Sequence, residues 1–223
     1  MLTDEKAEKY LAILFTLMVC TTRLSMAAGQ IFMALGTILT IYMLWLNRKT
    51  LPRNNSANTI IKAYGVMLLC FLPSVFGSLN IAASAKVFMG AWVYRFFVFV
   101  GIAYFINSRK LLTNMLGTFL LVTCVDCIIA LYQVLTKMAP RGWGYGSNTL
   151  TLAGLLTMLF PIVIVIILDE HFDEVLKKIS SFSLVAILIG FFANKSRGAW
   201  LVALLTAPLT LWKYIWRSKK LMI

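Results

Sequence analysis

Acidic side chains are scarce in this 223-residue sequence: eight Asp and Glu stand against 21 Lys and Arg, with a single histidine. One histidine, His171, is too few for the usual imidazole-based metal centres. The four cysteines, Cys20, Cys70, Cys124 and Cys127, all fall in apolar runs. Cys124 and Cys127 form a C-x-x-C on one helix face, yet neither has a basic neighbour to favour a thiolate. They read as packing residues rather than as redox or metal-binding thiols. Linkers, low-complexity tracts and internal repeats are also missing, so residues 1–223 read as one membrane domain. No cleavable signal peptide is expected, because the charged start runs into an apolar stretch with no small-residue cleavage site.

Apolar residues are abundant. They make up 61% of the chain, and the mean hydropathy is +0.86. A soluble domain carries roughly 45–50%. A soluble helical bundle is excluded because its helices need a polar face, and these runs are apolar all round. Several windows lack charge over nearly the 20 or so residues that cross a bilayer. The expected fold is an all-α polytopic membrane protein with about eight transmembrane helices. The spans fall at 10–24, 26–46, 60–77, 86–106, 112–135, 148–168, 179–194 and 197–213. Residues Arg23 to Ser25 form either a tight turn or a break in one longer element. The segment Asp169 to Ser180 reads as a short interfacial helix. Phe172, Val175, Leu176 and Ile179 share one of its faces, and Asp173 and Glu174 each stand four residues before a lysine.

Basic residues orient the chain. Fourteen of the 21 fall on segments of one side and six on the other, with Arg95 inside a span. The richer side is cytoplasmic by the positive-inside rule, which puts both termini in the cytoplasm. The net charge of +13 is thus mostly a topology signal, and nucleic acid is not an expected partner. The six outer cations are Arg23, Lys86, Lys137, Arg141, Lys195 and Arg197, and no carboxylate accompanies them. A solvated surface normally mixes signs. An acid-free basic rim suits phosphate or diphosphate groups; the plainer alternative is that short outer loops happen to lack acids.

Two outer segments stand out. The first is the junction Asn194-Lys195-Ser196-Arg197-Gly198-Ala199-Trp200, wedged between two apolar runs. Cations there are costly near hydrocarbon and need a reason. The second is the loop from Lys137 to Asn148, which holds three glycines, two aromatics and a proline. Its glycines permit close backbone approach. Trp143 and Tyr145 suit the headgroup level and can stack on sugars. Ser147 or Asn148 can cap the sixth span, and Arg141 supplies a fork of donors. An ordinary turn with an aromatic belt is the alternative. Within the spans, Arg95 and Asp126 should face the interior or a wet cavity, or pair with each other; Gln133 could face the same cavity.

Ser196-Arg197-Gly198-Ala199-Trp200-Leu201, opening a helix after an apolar span, resembles the signature of the O-antigen ligase and polymerase superfamily. Gly144-Tyr145-Gly146-Ser147-Asn148, followed by Leu152-Ala153-Gly154-Leu155 and Pro161 and preceded by Tyr132-Gln133, is similar to that family's loop and next helix. The likeness covers its N-terminal portion. It implies a bacterial inner-membrane glycosyltransferase that moves a glycan from undecaprenyl diphosphate to the lipid A core at the outer face. Membrane lipids surround it, and no cofactor or metal is implied. Arg197 would contact the lipid diphosphate, as catalytic and substrate-binding residue. Lys195, Arg141 and Arg23 would complete the clamp, and Trp143, Tyr145 and Asn148 would line it. Family members continue into a large outer loop whose histidine activates the acceptor, and then into further helices. Here no outer residue offers a general base. The expectation is therefore the donor half of a site, with turnover requiring a second half.

Three other readings compete. An O-antigen polymerase shares the donor site. A lipid-linked glycan transporter or flippase would show paired, interrupted helices, but Pro73, Pro161 and Pro208 do not fall at matching positions. A non-catalytic scaffold needs no basic outer rim. The charge bias makes a direct prediction. A cysteine at Ser196 should react with a membrane-impermeant thiol reagent in intact spheroplasts; protection until the membrane is permeabilised would invert the topology.

Overall fold

A computed structural model describes residues 4–47, 55–146 and 148–221, in the last nine of these and at a few other positions for the backbone alone. Hydrocarbon offers backbone groups no water, so a chain this apolar must satisfy its amides within helices. The described residues form eight: α1 Asp4–Leu24, α2 Met26–Leu46, α3 Asn55–Phe76, α4 Ile81–Phe105, α5 Arg109–Leu135, α6 Thr149–Leu168, α7 Glu174–Asn194 and α8 Arg197–Leu221. No strand occurs among them. The chain is an all-α, multi-pass membrane protein. Six helices, α2 to α7, are long and apolar enough to cross a bilayer. α1 and α8 are as long, at 21 and 25 residues, but carry charge at both ends.

The helices begin earlier than the apolar windows suggest. α3 starts at Asn55 where residue 60 was expected, α4 at Ile81 where 86 was expected, and α7 at Glu174 where 179 was expected. In α7 the window stops at Lys177 and Lys178 whereas the helix continues past them; the turns added to α3 and α4, residues 55–59 and 81–85, hold no charge, and Lys62 and Lys86 lie at the starts of the expected windows. Such side chains reach back to water along their aliphatic stems. Of the interfacial helix expected at 169–180, residues 174–180 are the first turns of α7, while 169–173 form the turn that precedes it. Leu176, Ser180, Ser183 and Ile187 mark its buried stripe at three- and four-residue spacing, and Val175 lies off it, 69% exposed. The ion pair that forms there is Glu174 with Lys177 at 3.3 Å, one residue closer than the expected spacing.

Contacts divide the chain into two compact units, 1–115 and 116–223. In the first, Ser25 ends the ambiguity at Arg23 to Ser25 in favour of a tight turn. Its hydroxyl accepts the Ala28 N–H at 3.4 Å and caps α2, so α1 and α2 fold back on each other. Leu11, Phe15, Met43, Val98 and Phe105 form the core of this unit. Glu8 ties its far end: one carboxylate oxygen accepts the Asn107 and Ser108 N–H groups at 2.8 and 2.6 Å, just ahead of α5. A carboxylate suits the positive end of a helix.

In the second unit α6 packs against α7 and α8, and the later part of α5 joins their core. Leu120, Leu152, Leu156, Ile187 and Phe191 are buried at its centre. Cys124 and Cys127 belong to this core, and the Cys124 thiol donates to the Ser183 hydroxyl at 3.3 Å. The packing role expected of this pair holds; Cys70, by contrast, is exposed. Trp200 docks edge-on against Phe192, 4.8 Å between ring centres, and leans on Phe191, fixing the start of α8 to the end of α7. Leu156 is fully buried, so Leu156→Ala should cost about 2–5 kcal/mol. The thermal unfolding midpoint in detergent should fall clearly, while Met158→Ala, on the exposed side of the same helix, should leave it nearly unchanged.

Candidate functional site

The loop between α5 and α6 and the junction between α7 and α8 meet at one end of the second unit, the end that the charge bias places outside. Backbone geometry brings them together. α7 stops at Asn194, and Lys195 follows in the left-handed conformation, with φ 54°. Few non-glycine residues adopt it; here it turns the chain so that the Lys195 N–H returns to the Phe191 carbonyl at 3.1 Å. The Ser196 carbonyl then accepts the Trp200 N–H at 3.2 Å and opens α8, whose first residue is Arg197.

Three polar side chains hold the loop against this junction. Asn194 is fully buried. Its carboxamide nitrogen donates to the carbonyls of Gly142 and Thr149 at 3.0 and 2.8 Å. Gly142 N–H donates back to the Ala193 carbonyl at 2.9 Å, and Arg141 Nε donates to the Asn194 carbonyl at 2.9 Å. Gln133, near the end of α5, works from the other side. Its amide oxygen accepts the Trp143 and Gly144 N–H groups at 3.0 and 3.1 Å, and its nitrogen donates to the Gly144 carbonyl at 2.8 Å. Asp126, also fully buried, accepts the Tyr145 N–H at 2.7 Å. Two glycines are required by this packing. Gly144 has φ 67°, and a Cβ there would strike the Asp126 carboxylate; a Cβ on Gly142 would strike the Ala130 carbonyl.

These ties decide the local electrostatics. A helix C-terminus presents unsatisfied carbonyls and partial negative charge. At the end of α7 the Phe191, Ala193 and Asn194 carbonyls are all occupied by N–H donors. The α6 and α8 N-termini lie at the same end, with their positive dipole ends. Arg141 is half-buried, and beyond Nε its guanidinium makes no hydrogen bond among the described residues. Lys195 and Arg197 are exposed, and neither forms an ion pair among the described residues. The arrangement offers an anion three cations and two helix N-termini, with the carboxylate at this end already committed to the loop.

The sequence-predicted residues separate into three groups. Arg141, Lys195 and Arg197 come together around the 194–197 junction. Trp143 is half-buried and Tyr145 exposed on the adjoining loop. Asn148 is the cap of α6, its side-chain oxygen accepting the Leu150 N–H at 2.8 Å. Of the two capping candidates it is the one seen, since Ser147 lies outside the described residues. Arg23 belongs to the first unit, at the end of α1, and its side chain is not among those described. Sequence reasoning overlooked Asn194 as an organiser. Its signal was a single polar residue closing an apolar run just before a basic turn. Asp126 and Gln133 were recognised as interior groups, but their task is to hold the loop. Arg95 lines a cavity in the first unit, as a cation within a span should. Among the described residues no group of three or more His, Cys, Asp or Glu could hold a metal ion.

Replacing Gln133 by Leu would leave two N–H groups and a carbonyl of the loop without their partner, at about 1–3 kcal/mol each where they stay buried. Hydrogen exchange at residues 142–145 should accelerate by at least tenfold in Gln133→Leu, with α7 unaffected; unchanged protection would show that the loop does not depend on this side chain.

Comparison with protein-family models, with curated proteins and with solved structures finds no match for this chain.

Proposed function

We propose that this end of the second unit is the donor half of an O-antigen ligase-like glycosyltransferase site in the bacterial inner membrane. It would grip the diphosphate of an undecaprenyl-diphosphate-linked glycan whose sugar passes to the lipid A core. One observation carries the reading: Arg141 is held by its Nε on the last carbonyl of α7, next to Lys195 and Arg197, where two helices start. In the reaction an acceptor hydroxyl attacks the anomeric carbon, the bond to the diphosphate oxygen breaks, and the hydroxyl proton leaves to a base. Charge accumulates on the departing diphosphate. Fixed cations and helix N-termini lower the barrier by stabilising that charge without reorganising. Arginine serves best, because its planar fork matches two phosphate oxygens and stays protonated.

Tyr145 and Trp143 border the same junction and offer faces on which the first sugar can stack. A polymerase of the same family uses an equivalent donor half, so the acceptor distinguishes the two. The base belongs to the acceptor half.

The test is equilibrium binding to the full chain in micelles. Undecaprenyl diphosphate should bind, and undecaprenol should bind far more weakly. A charge-assisted hydrogen bond contributes about 1.5–3 kcal/mol, so Arg197→Ala should weaken diphosphate binding roughly ten- to 150-fold. Arg197→Lys should recover only part of the loss. In membranes competent for glycan transfer, Arg197→Ala should abolish it. Equal affinity for the diphosphate and the bare alcohol, or no effect of Arg197→Ala, would overturn the donor-site reading.

A further inference from the structure

The first unit carries a cation within a span that the donor site does not use. Arg95 lies ten residues before the end of α4 and fourteen after its start, about 15 and 21 Å along the axis. A cation at that depth needs a partner or a wet cavity. Arg95 makes no hydrogen bond and no ion pair among the described residues, and its side chain is exposed. Glu8, on the same unit, is committed at the opposite end of α1 to the N–H groups ahead of α5.

The backbone is built to aim Arg95. A π-helical turn, Met89–Val93, ends two residues before it. Such widened turns add a residue and rotate the next turn by roughly 100° relative to a regular helix. The π turn is braced by Tyr64, whose hydroxyl donates to the Trp92 carbonyl at 3.3 Å. Beyond it, Arg95 lines a cavity of about 320 Å³ beside the α1–α2 turn. Gln30 lines the same cavity and also makes no hydrogen bond among the described residues. The Thr22 hydroxyl donates to its own helix, to the Met18 carbonyl. The remaining wall is apolar, with Met18, Met33 and Val98. Methionines adapt to chains of varied shape.

We propose that this cavity binds a phosphate-bearing lipid, with Arg95 and the Gln30 carboxamide on its phosphate and its chain along Met18, Met33 and Val98. A guanidinium and a neutral donor suit phosphate oxygens. The apolar wall selects an amphiphile over a free anion. The site belongs to the first unit alone and stands independently of the diphosphate reading.

Native mass spectrometry of the full chain released from micelles tests this. Phosphatidylglycerol should be retained as a one-to-one adduct, and diacylglycerol with the same chains about tenfold less. Arg95→Gln should lower phosphatidylglycerol retention about tenfold, with helicity by circular dichroism confirming the fold. Gly90→Leu supplies an uncharged control: a Cβ at Gly90 meets nothing within 4 Å, so the larger side chain can enter the cavity and should also exclude the lipid. Arg197→Ala should leave the adduct unchanged. Equal retention by wild type and Arg95→Gln, or equal retention of diacylglycerol, overturns the proposal. Displacement of the lipid by millimolar inorganic phosphate would assign the cavity to a free anion and overturn it too.

Discussion

The buried Asn194 carboxamide is the tie on which the candidate site depends. Its two N–H groups reach Gly142 on the loop and Thr149 at the start of α6, while its own carbonyl receives Arg141. One side chain thus joins a helix end, a helix start and a loop. Without the carboxamide bonds the loop is held against the α7–α8 junction by the Gly142 N–H on the Ala193 carbonyl and by Arg141 on the Asn194 backbone carbonyl, and the side-chain tie from α7 to the start of α6 is lost. A carboxylate at this position would repel the same two carbonyls, which is why an amide and not an acid closes α7.

The wider constraint is that polar groups within a membrane must find partners inside the protein. The backbones of α2 to α7 meet it by helix formation, and their long apolar windows made them legible in the sequence. Their starts were less legible. Glu174, Lys177 and Lys178 interrupt hydropathy but not helix geometry, so α7 extends past its window, and α3 and α4 begin about a turn before the windows that open near Lys62 and Lys86. Val175 looked like part of an apolar face because a short helix was assumed, whereas the register of α7 is set by Leu176, Ser180 and Ser183 packing over its whole length. The π turn in α4 left no trace in composition.

The site was legible in its charges and not in its wiring. Arg141, Lys195 and Arg197 stood out because basic residues gathered where carboxylates were missing. Their convergence depends on hydrogen bonds between segments about 50 residues apart, such as Arg141 with Asn194, and spacing along a chain does not encode those. Asp126 and Gln133 were visible as intramembrane polar groups. Their use as loop holders emerges only when Gly142 and Gly144, lacking side chains, are seen to let the loop backbone sit on α5. The polar residues inside the unit organise the loop, and the cations are left at its surface, where an anionic group can reach them.

The most direct measurement is photo-crosslinking of the full chain in its native membrane with a diphosphate-linked undecaprenyl probe carrying a photoreactive group beside the phosphates. The account predicts labelled peptides from residues 141–146 and 195–200, with labelling lost on competition by undecaprenyl diphosphate. Labelling confined to other helices, or insensitive to competition, would contradict it.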